Sequence, residues 1–277
     1  MTDRYAVVGN PVAHSKSPLI HAEFARQTGK DMVYEKLLAP LDAFRETVEA
    51  FRRAGGKGLN VTVPFKEQAF HYAKELDSRA DDAGAVNTLI FKDGRIIGDN
   101  TDGAGLVNDI TRNLGFSIQG KRVLLMGAGG AARGVMLPLL EQAPAQLVLA
   151  NRTVEKAEAL VMSYQKKIEH GITVRSLSAS PYANLEGAFD LIINATAASL
   201  KGELPPLPEH LFSPGALAYD MMYGAETPFM AWARTHGATQ ISDGLGMLVE
   251  QAAESFYLWH RVRPDTAPVI AMLRNAA

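Results

Sequence analysis

The chain has 277 residues, no cysteine and a formal net charge of −2, and it is 47% hydrophobic and 21% charged. This length exceeds one ordinary core and suits two domains. The near-neutral charge gives no reason to expect nucleic acid or an anionic membrane as a partner, and the lack of cysteine excludes disulfides, thiolate metal sites and a cysteine nucleophile. We therefore expect a protein that binds a small molecule, as a monomer or homodimer.

Two further sequence features concern location and metal. The N-terminal apolar run is too short for a signal peptide, so a cytoplasmic protein is expected. The seven histidines show no spacing typical of metal ligands, so no metal is expected.

Short β-rich segments alternate with segments of helical period along the whole chain, which predicts an α/β fold with mostly parallel sheets. Ser17 is expected to cap the first helix, with Pro18 at its first position. Asp93 and Gly94 predict a hairpin between two antiparallel strands in the run 87–99, so this part should contain a mixed sheet. The other elements predicted here are strands at 5–11, 33–39 and 58–64 and helices at 17–29 and 41–56.

A helix from about Asp102 leads into a second predicted domain with a parallel sheet of five or six strands. Two helical patterns then close the chain and are expected to return to the first domain. The predicted domains are residues 1–102, completed by 244–277, and residues 103–243. The strands of the second domain are predicted at 121–126, 145–150, 172–177, 189–195 and 216–222, and the closing helices at 245–262 and 265–277.

A glycine-rich turn follows the strand at 121–126. Its sequence GAGGAA matches G-x-G-x-x-[G/A]: Gly127 permits a tight turn, Gly129 lets the backbone approach a pyrophosphate, and Ala132 lets helix and strand pack closely. We interpret it as a dinucleotide site. The alternative is a tight strand-to-helix turn that binds no ligand.

The next strand ends in Asn151, Arg152 and Thr153, where an NAD enzyme normally carries an acidic residue for the ribose hydroxyls. Arg152 would instead pair with a 2′-phosphate, Thr153 would cap the following helix, and Lys156 would add charge one turn later. These residues favour NADP(H) over NAD as the cofactor. The alternative is that Arg152 is a solvated loop residue.

Several polar residues of the first domain also lie where strands end and helices begin. Ser15 and Ser17 stand two apart, which suits either a bound carboxylate or ordinary turn and cap chemistry. Strand alternation places Asn60 and Thr62 on one face, just before Lys66.

Lys66 falls in the first turn of a predicted helix, where the helix dipole disfavours a cation by roughly 0.3–1 kcal/mol. A compensating group is therefore expected. Asn87 and Asp102 occupy strand or loop ends, where open α/β sheets bind ligands. The alternatives are that Lys66 is a solvated surface residue and that Asp102 is an ordinary first-turn helix residue.

Taken in order, these runs resemble the shikimate dehydrogenase family. They read GNPVAHSKSP, NVTVPFK, GAVNT, GDNTDGAG, GAGGAA, NRT and DGLGMLVEQA, and they cover the chain from residue 5 to about residue 268. The resemblance implies NADPH-dependent reduction of 3-dehydroshikimate to shikimate, on the route to chorismate and the aromatic amino acids. It also implies that residues 1–102 and 244–277 bind substrate and that residues 103–243 form a Rossmann-like NADP domain.

The same resemblance assigns a role to individual residues. Lys66 and Asp102 become the catalytic acid–base pair, with the proton donor of the two left open, and Ser15 and Ser17 bind the substrate carboxylate. The remaining substrate residues are Thr62, Asn87, Tyr223 and Gln251. The cofactor residues are Gly127, Ala128, Gly129, Gly130, Ala131, Asn151, Arg152, Thr153, Lys156, Met221 and Gly244.

Two other functions remain open at this stage. One is a quinate/shikimate dehydrogenase that accepts either dinucleotide, for which an acidic residue near Arg152 would be expected. The other is a non-catalytic sensor on the same scaffold, since a fold does not fix a function. Such a sensor need not keep Lys66 together with Asp102.

Overall fold

The computed structural model describes residues 2–168, 176–196, 198 and 202–276. By its internal contacts the chain forms two compact units, which we call unit 1 (Met1–Gly105 with Leu248–Ala277) and unit 2 (Leu106–Met247). Within the described ranges, no helix is both long enough and apolar enough to span a bilayer.

Unit 1 is built on a mixed six-stranded sheet, as predicted. The strands are β1 (Asp3–Gly9), β2 (Met32–Leu38), β3 (Gly56–Val61), β4 (Glu75–Leu76), β5 (Thr88–Lys92) and β6 (Arg95–Asp99), in the order β2-β1-β3-β5-β6-β4. Its helices are α1 (Ser17–Thr28), α2 (Phe44–Arg53), α3 (Lys66–Tyr72), α4 (Ser78–Ala83) and the start of α5 (Asp102–Asn108).

The predicted hairpin in unit 1 is confirmed. Strands β5 and β6 pair antiparallel, and Asp93 and Gly94 between them have φ angles of 51° and 76°. Positive φ at both central residues is the geometry of a two-residue turn that follows the twist of the strands.

Unit 2 contains a parallel six-stranded sheet in the order β12-β11-β10-β7-β8-β9, so the predicted parallel sheet is confirmed. The predicted strand at 172–177 lies outside the described residues up to 175, and the strand seen there begins at Leu177. The strands are β7 (Arg122–Met126), β8 (Gln146–Ala150), β9 (Leu177–Ser180), β10 (Phe189–Asn194), β11 (Phe212–Asp220) and β12 (Gln240–Ser242). The remaining helices of the chain are α6 (Gly130–Glu141), α7 (Val154–Ile168), α8 (Pro228–Thr235), α9 (Leu245–His260) and α10 (Ala267–Asn275), and a π-helical turn at Asp109–Asn113 follows α5.

The central strands of unit 2 are buried on both faces, as expected of a parallel sheet covered by helices. In β7, Val123 and Leu125 pack into one apolar core, whereas Leu124 and Met126 pack into another on the opposite face. A layer of Trp232, Phe212 and Phe229 extends this second core, and Trp232 also stacks on His236 with ring centroids 4.6 Å apart. The near-continuous apolar strand sequences follow from this double burial.

Unit 1 contains an aromatic cluster where α9 packs against α1, β1 and β2. Trp259 stacks on Tyr5 at a centroid distance of 4.7 Å, and His21 stacks on Tyr34 at 4.2 Å with nearly parallel rings. Phe256 and His260 complete the cluster. Helix α9 is thereby anchored on the sheet of unit 1.

The prediction that Ser17 caps α1 is wrong. The helix begins at Ser17 itself, Lys16 holds the cap position, and no side chain accepts a cap hydrogen bond there. Instead the Ser15 hydroxyl accepts the Ser17 N–H at 3.3 Å. The N–H groups of Leu19 and Ile20, which a Ser17 cap would have accepted, are instead bound by the Lys16 carbonyl.

Candidate active site

Lys66 is the first residue of α3 and forms an ion pair in unit 1. Its Nζ lies 2.5 Å from Oδ2 of Asp102, and the two side chains are 31% and 20% exposed. The carboxylate offsets the unfavourable position of a cation at a helix N-terminus. The pair is close enough to transfer a proton and open enough to meet a ligand.

Asp102 begins α5 and is held from both sides. Its second oxygen, Oδ1, accepts a hydrogen bond from Asn87 Nδ2 at 2.8 Å, and its own N–H donates to Asn100 Oδ1 at 3.1 Å. Both carboxylate oxygens are therefore engaged. The orientation of this carboxylate is set by the protein before any ligand arrives.

Asn87 is the centre of this cluster, and only 2% of its surface is exposed. Its Oδ1 accepts the N–H of Thr101 at 2.9 Å, and its Nδ2 lies 2.9 Å from Thr101 Oγ1 and 3.3 Å from Gln251 Oε1. Gln251 comes from α9, far along the chain, and is fixed by its own bond to the Leu248 carbonyl. Lys66, Asn87, Asp102 and Gln251 thus form one hydrogen-bonded group, which we call the acid–base cluster.

The two predicted carboxylate-binding serines lie together at the start of α1. Ser17 is buried, Ser15 is half-buried, and their hydroxyl oxygens are 3.2 Å apart. Thr62 follows the end of β3, donates its N–H to the Val8 carbonyl at 2.9 Å, and packs its methyl group against Gly9. Tyr223 belongs to unit 2, where burial raises the pKa of its phenol.

The glycine-rich turn of unit 2 joins β7 to α6. Gly127 has a φ of +104°, and a Cβ there would lie 3.0 Å from the Ala195 carbonyl oxygen. A side chain at this position would therefore be disfavoured both by the backbone conformation and by steric crowding. A Cβ added at Gly129 or Gly130 would meet nothing within 4 Å. The turn therefore needs glycine at its first position and leaves open space beside the next two, which fits the close approach of a pyrophosphate.

A cavity of about 490 Å³ adjoins this turn. Arg152, which follows β8, lines the cavity together with the buried Tyr182. Burial raises the pKa of Tyr182 to about 12, and the nearby Arg152 charge partly opposes that rise. The predicted residues that line the cavity are Gly127, Ala128, Gly129, Gly130, Ala131, Asn151 and Arg152.

Four other predicted cofactor residues are not among the described residues that line the cavity. Thr153 directly precedes α7, and its carbonyl accepts the N–H of Lys156 at 3.2 Å. Gly244 packs closely against the backbone of Met221: a Cβ added to Gly244 would lie 2.3 Å from the Met221 carbonyl oxygen. Among the residues with described positions, no group of three or more acidic or histidine side chains could hold a metal ion.

Sequence reasoning missed residues in both sites. In unit 1 it missed Thr101 and Ser255, although Ser255 lies one helical turn after Gln251 on α9 and that spacing could have marked it. In unit 2 the family resemblance also covers the run NATAAS at the end of β10, but no residue of that run was assigned a role. Nothing in the sequence marked the rest of the cavity wall beyond the glycine turn and the Asn151–Arg152 segment. That wall is formed by Tyr182, Ala195, Thr196, Ala198, Glu203, Leu204, Pro205 and Pro206.

The arrangement in unit 1 can perform acid–base chemistry. An ammonium held by a carboxylate can donate a proton to an oxygen that gains negative charge, and the pair can take the proton back in the reverse direction. The buried amide of Asn87 and the half-buried amide of Gln251 can bind hydroxyl groups beside it. The cavity of unit 2, with a glycine turn at a helix start and an arginine, can bind a phosphorylated dinucleotide.

Three family models match consecutive parts of the chain. They are the shikimate dehydrogenase substrate binding domain at residues 7–89, shikimate/quinate 5-dehydrogenase at residues 109–201, and the shikimate 5′-dehydrogenase C-terminal domain at residues 244–274. Together they match well over half of the chain, and they follow one another in sequence order.

Individual proteins match over nearly the full length. The shikimate dehydrogenase (NADP(+)) of Aromatoleum aromaticum is 62% identical over 99% of this chain and 97% of its own length. The Ael1 enzyme from Pseudomonas putida is 48% identical, with 98% of each chain covered and a TM-score of 0.91. The shikimate 5-dehydrogenase of Thermus thermophilus, solved with NADP(H) and shikimate, is 33% identical, with both chains fully covered and a TM-score of 0.86. The chain therefore belongs to the shikimate dehydrogenase family.

Proposed function

We propose that this protein catalyses the reversible NADPH-dependent reduction of 3-dehydroshikimate to shikimate, a step toward chorismate and the aromatic amino acids. The observation that carries the proposal is the Lys66–Asp102 pair, with its 2.5 Å contact and its support from Asn87, in a chain of this family. A member that had lost catalysis would have no need to hold these charges together.

The acid–base cluster transfers the proton that this reaction requires. When bound, NADPH supplies the hydride for the ketone carbon. Lys66 donates a proton to the ketone oxygen as negative charge develops there, and in the reverse direction the pair removes the hydroxyl proton. Asp102 holds the ammonium toward the substrate and stabilises its charge.

The serine pair and the neighbouring polar groups orient the substrate. The hydroxyls of Ser15 and Ser17 donate to the substrate carboxylate, while the side chains around the acid–base cluster bind the ring hydroxyls. Binding at both ends fixes which ring carbon is presented for reduction. The proposed ring-hydroxyl contacts are Thr62, Asn87, Asp102 and Gln251, and Tyr223 remains a proposed substrate residue.

In unit 2 the proposed dinucleotide site is formed mostly by backbone. The N–H groups at the start of α6 bind the pyrophosphate, and Arg152 pairs with the 2′-phosphate. Unit 1 is accordingly the proposed substrate-binding unit, and unit 2 is the proposed NADP-binding unit. The other proposed cofactor contacts are Asn151, Thr153, Lys156, Met221 and Gly244.

The test is an NADPH oxidation assay with 3-dehydroshikimate, run beside an NADH arm and a 3-dehydroquinate arm. We expect rapid oxidation of NADPH with 3-dehydroshikimate and far slower turnover in the two control arms. Equal rates with NADH and turnover of dehydroquinate would instead identify a dual-cofactor quinate/shikimate dehydrogenase. Tight binding of NADP and shikimate without turnover would identify a sensor.

Two further properties belong to this proposal. The enzyme acts in the cytoplasm, where it draws on a diffusible pool of NADPH, and it works as a monomer or homodimer. Fractionation of cells and sedimentation of the purified protein measure them.

A further inference from the structure

A path of hydrogen-bonded side chains in unit 1 leads from strand β2 to the acid–base cluster. It begins at Tyr34 of β2, whose phenol donates to Asn60 Oδ1 at 2.7 Å. Burial raises the pKa of Tyr34 well above its usual value. Tyr34 therefore stays protonated at neutral pH and can donate to Asn60.

Asn60 is the second member of the path and is 6% exposed. Its Nδ2 lies 2.9 Å from Ser255 Oγ and 3.3 Å from Thr88 Oγ1. Its Nδ2 also lies 3.4 Å from the Asn87 carbonyl oxygen, which can only accept, so this end of the amide must be the NH2 group. The Tyr34 hydroxyl satisfies the opposite end, the Oδ1 atom, and so holds the amide in place.

Those two hydroxyls end the path at the acid–base cluster. Thr88 Oγ1 lies 2.8 Å from Asn87 Oδ1, and Ser255 Oγ lies 3.0 Å from the Gln251 carbonyl oxygen. The two hydroxyls are also 2.8 Å from each other, and both residues are fully buried. Asn87 in turn donates to Asp102, so the path reaches the carboxylate that holds Lys66.

We propose that Tyr34 is a positioning residue: through Asn60, Thr88 and Ser255 it fixes the orientation of Asn87 and hence of the Lys66–Asp102 pair. This inference rests on the proposed function, since it assigns Tyr34 a part in the same reaction.

Removal of the Tyr34 hydroxyl would act on Asn60 first. Its Oδ1 would become a buried acceptor without a donor, which is unfavourable. The amide would rotate toward another donor, and its Nδ2 would move away from the Asn87 carbonyl oxygen and from the hydroxyls of Thr88 and Ser255. The Thr88 hydroxyl, which donates to Asn87 Oδ1, would lose its fixed position, and the orientation of Asn87 beside Asp102 would be less well defined.

The principal variant is Tyr34→Phe, which keeps the ring that stacks on His21 and removes only the hydroxyl. Its matched control is Tyr72→Phe, which removes a buried hydroxyl of the same unit that bonds Glu49 Oε1 at 2.6 Å. We expect Tyr34→Phe to lower kcat about 10- to 100-fold, the scale of a misplaced catalytic group, with the KM for NADP unchanged. Tyr72→Phe should keep the kcat of the wild type.

A second measurement separates positioning from general loss of structure. In an Asp102→Asn background, Tyr34→Phe should change kcat less than twofold, because the group that it positions is already altered. Ser255→Ala, which removes a different member of the path, should behave like Tyr34→Phe in both backgrounds. It provides the test if Tyr34→Phe does not fold.

The outcomes are distinguishable. If the wild type is active and Tyr34→Phe keeps full kcat, the inference is overturned and the proposed function stands. The same holds if Tyr34→Phe lowers kcat by equal factors in the wild-type and Asp102→Asn backgrounds. A wild type without turnover of shikimate overturns both.

Discussion

The two units prepare their sites in different ways. In unit 1 the polar side chains bond to one another, so that Lys66, Asp102 and Asn87 have their geometry fixed by their neighbours. In unit 2 the site beside Gly127 is shaped by backbone conformation and by the absence of side chains. A site that moves protons needs oriented side chains, whereas a site for a pyrophosphate needs backbone N–H groups and room.

This contrast has a consequence for substitutions. In unit 1 the loss of one polar group should change the rate of reaction more than the fold. In unit 2 the sensitive property should be cofactor affinity, and within the glycine-rich turn only the strained Gly127 should matter for stability.

The largest expected effect is that of Lys66→Ala. General acid catalysis contributes about 10²–10⁴-fold, so kcat should fall by that factor with little change in KM and with NADPH affinity retained. Steady-state kinetics and an NADPH titration measure this. The matched control is Lys57→Ala, an exposed lysine of β3. Full turnover in Lys66→Ala would mean that Lys66 is only a solvated surface residue.

The next effect concerns cofactor choice in unit 2. Arg152→Ala should weaken NADPH binding by about 2–3 kcal/mol, the range for a hydrogen bond between charged groups, and should leave NADH binding nearly unchanged. Titrations with both dinucleotides measure the difference. Arg234→Ala, at an exposed ion pair of the same unit, is the control. Equal losses for NADPH and NADH would show that Arg152 acts through folding or general charge.

Two glycine substitutions sharpen the comparison within the turn itself. Gly127→Ala should lower the free energy of unfolding by roughly 1–3 kcal/mol because its φ is positive and its Cβ would crowd Ala195. Gly129→Ala should leave stability within about 0.5 kcal/mol of the parent but weaken NADPH by roughly 1–2 kcal/mol. Denaturant unfolding and dinucleotide titration measure both. If Gly129→Ala bound NADPH normally, the turn would not approach the pyrophosphate.

The smallest effect at neutral pH concerns His21, which lies fully buried beneath the Tyr34 ring. Burial lowers the pKa of His21 to about 3, a nearby Asn60 opposes the shift, and His260 adds to it. Neither ring nitrogen has a hydrogen-bond partner among the described residues. The folded protein therefore keeps this imidazole neutral.

Below pH 6.5 the unfolded chain binds a proton at His21 that the folded chain does not. Stability should therefore fall as pH drops from about 6.5 toward 3, by up to about 1.4 kcal/mol per pH unit. His21→Phe should remove this part of the acid sensitivity while keeping the aromatic stack. Urea unfolding of both proteins at pH 7, 6 and 5 measures it. Parallel stability curves for the two proteins would contradict the expectation.

The sequence predicted the fold well wherever the signal was local. The Asp93–Gly94 hairpin follows from two residues, and the parallel sheet of unit 2 follows from buried apolar strands. The Ser17 cap was predicted wrongly because the helix begins one residue earlier than expected: the Lys16 carbonyl accepts the N–H groups of Leu19 and Ile20, so Ser17 already lies within the helix. Propensity alone does not decide such a boundary.

The site was predictable only in part for a related reason. Motifs marked Lys66, Asn87 and Asp102, whose roles in the reaction remain proposals. The bond between Asn60 and Ser255 joins residues 195 positions apart, and no spacing rule extends so far. Tyr34 likewise lies on an ordinary-looking strand, and only the folded chain shows what its hydroxyl contacts.

The stacking of Trp259 on Tyr5 has an optical consequence. The chain has two tryptophans, and each unit contains one, Trp259 in unit 1 and Trp232 in unit 2. Replacement of Trp232 by phenylalanine would leave an emission spectrum that originates in unit 1 alone, and the reciprocal change would isolate unit 2. One chain thus carries two separable fluorophores, with which the unfolding of each unit can be timed independently in the same protein.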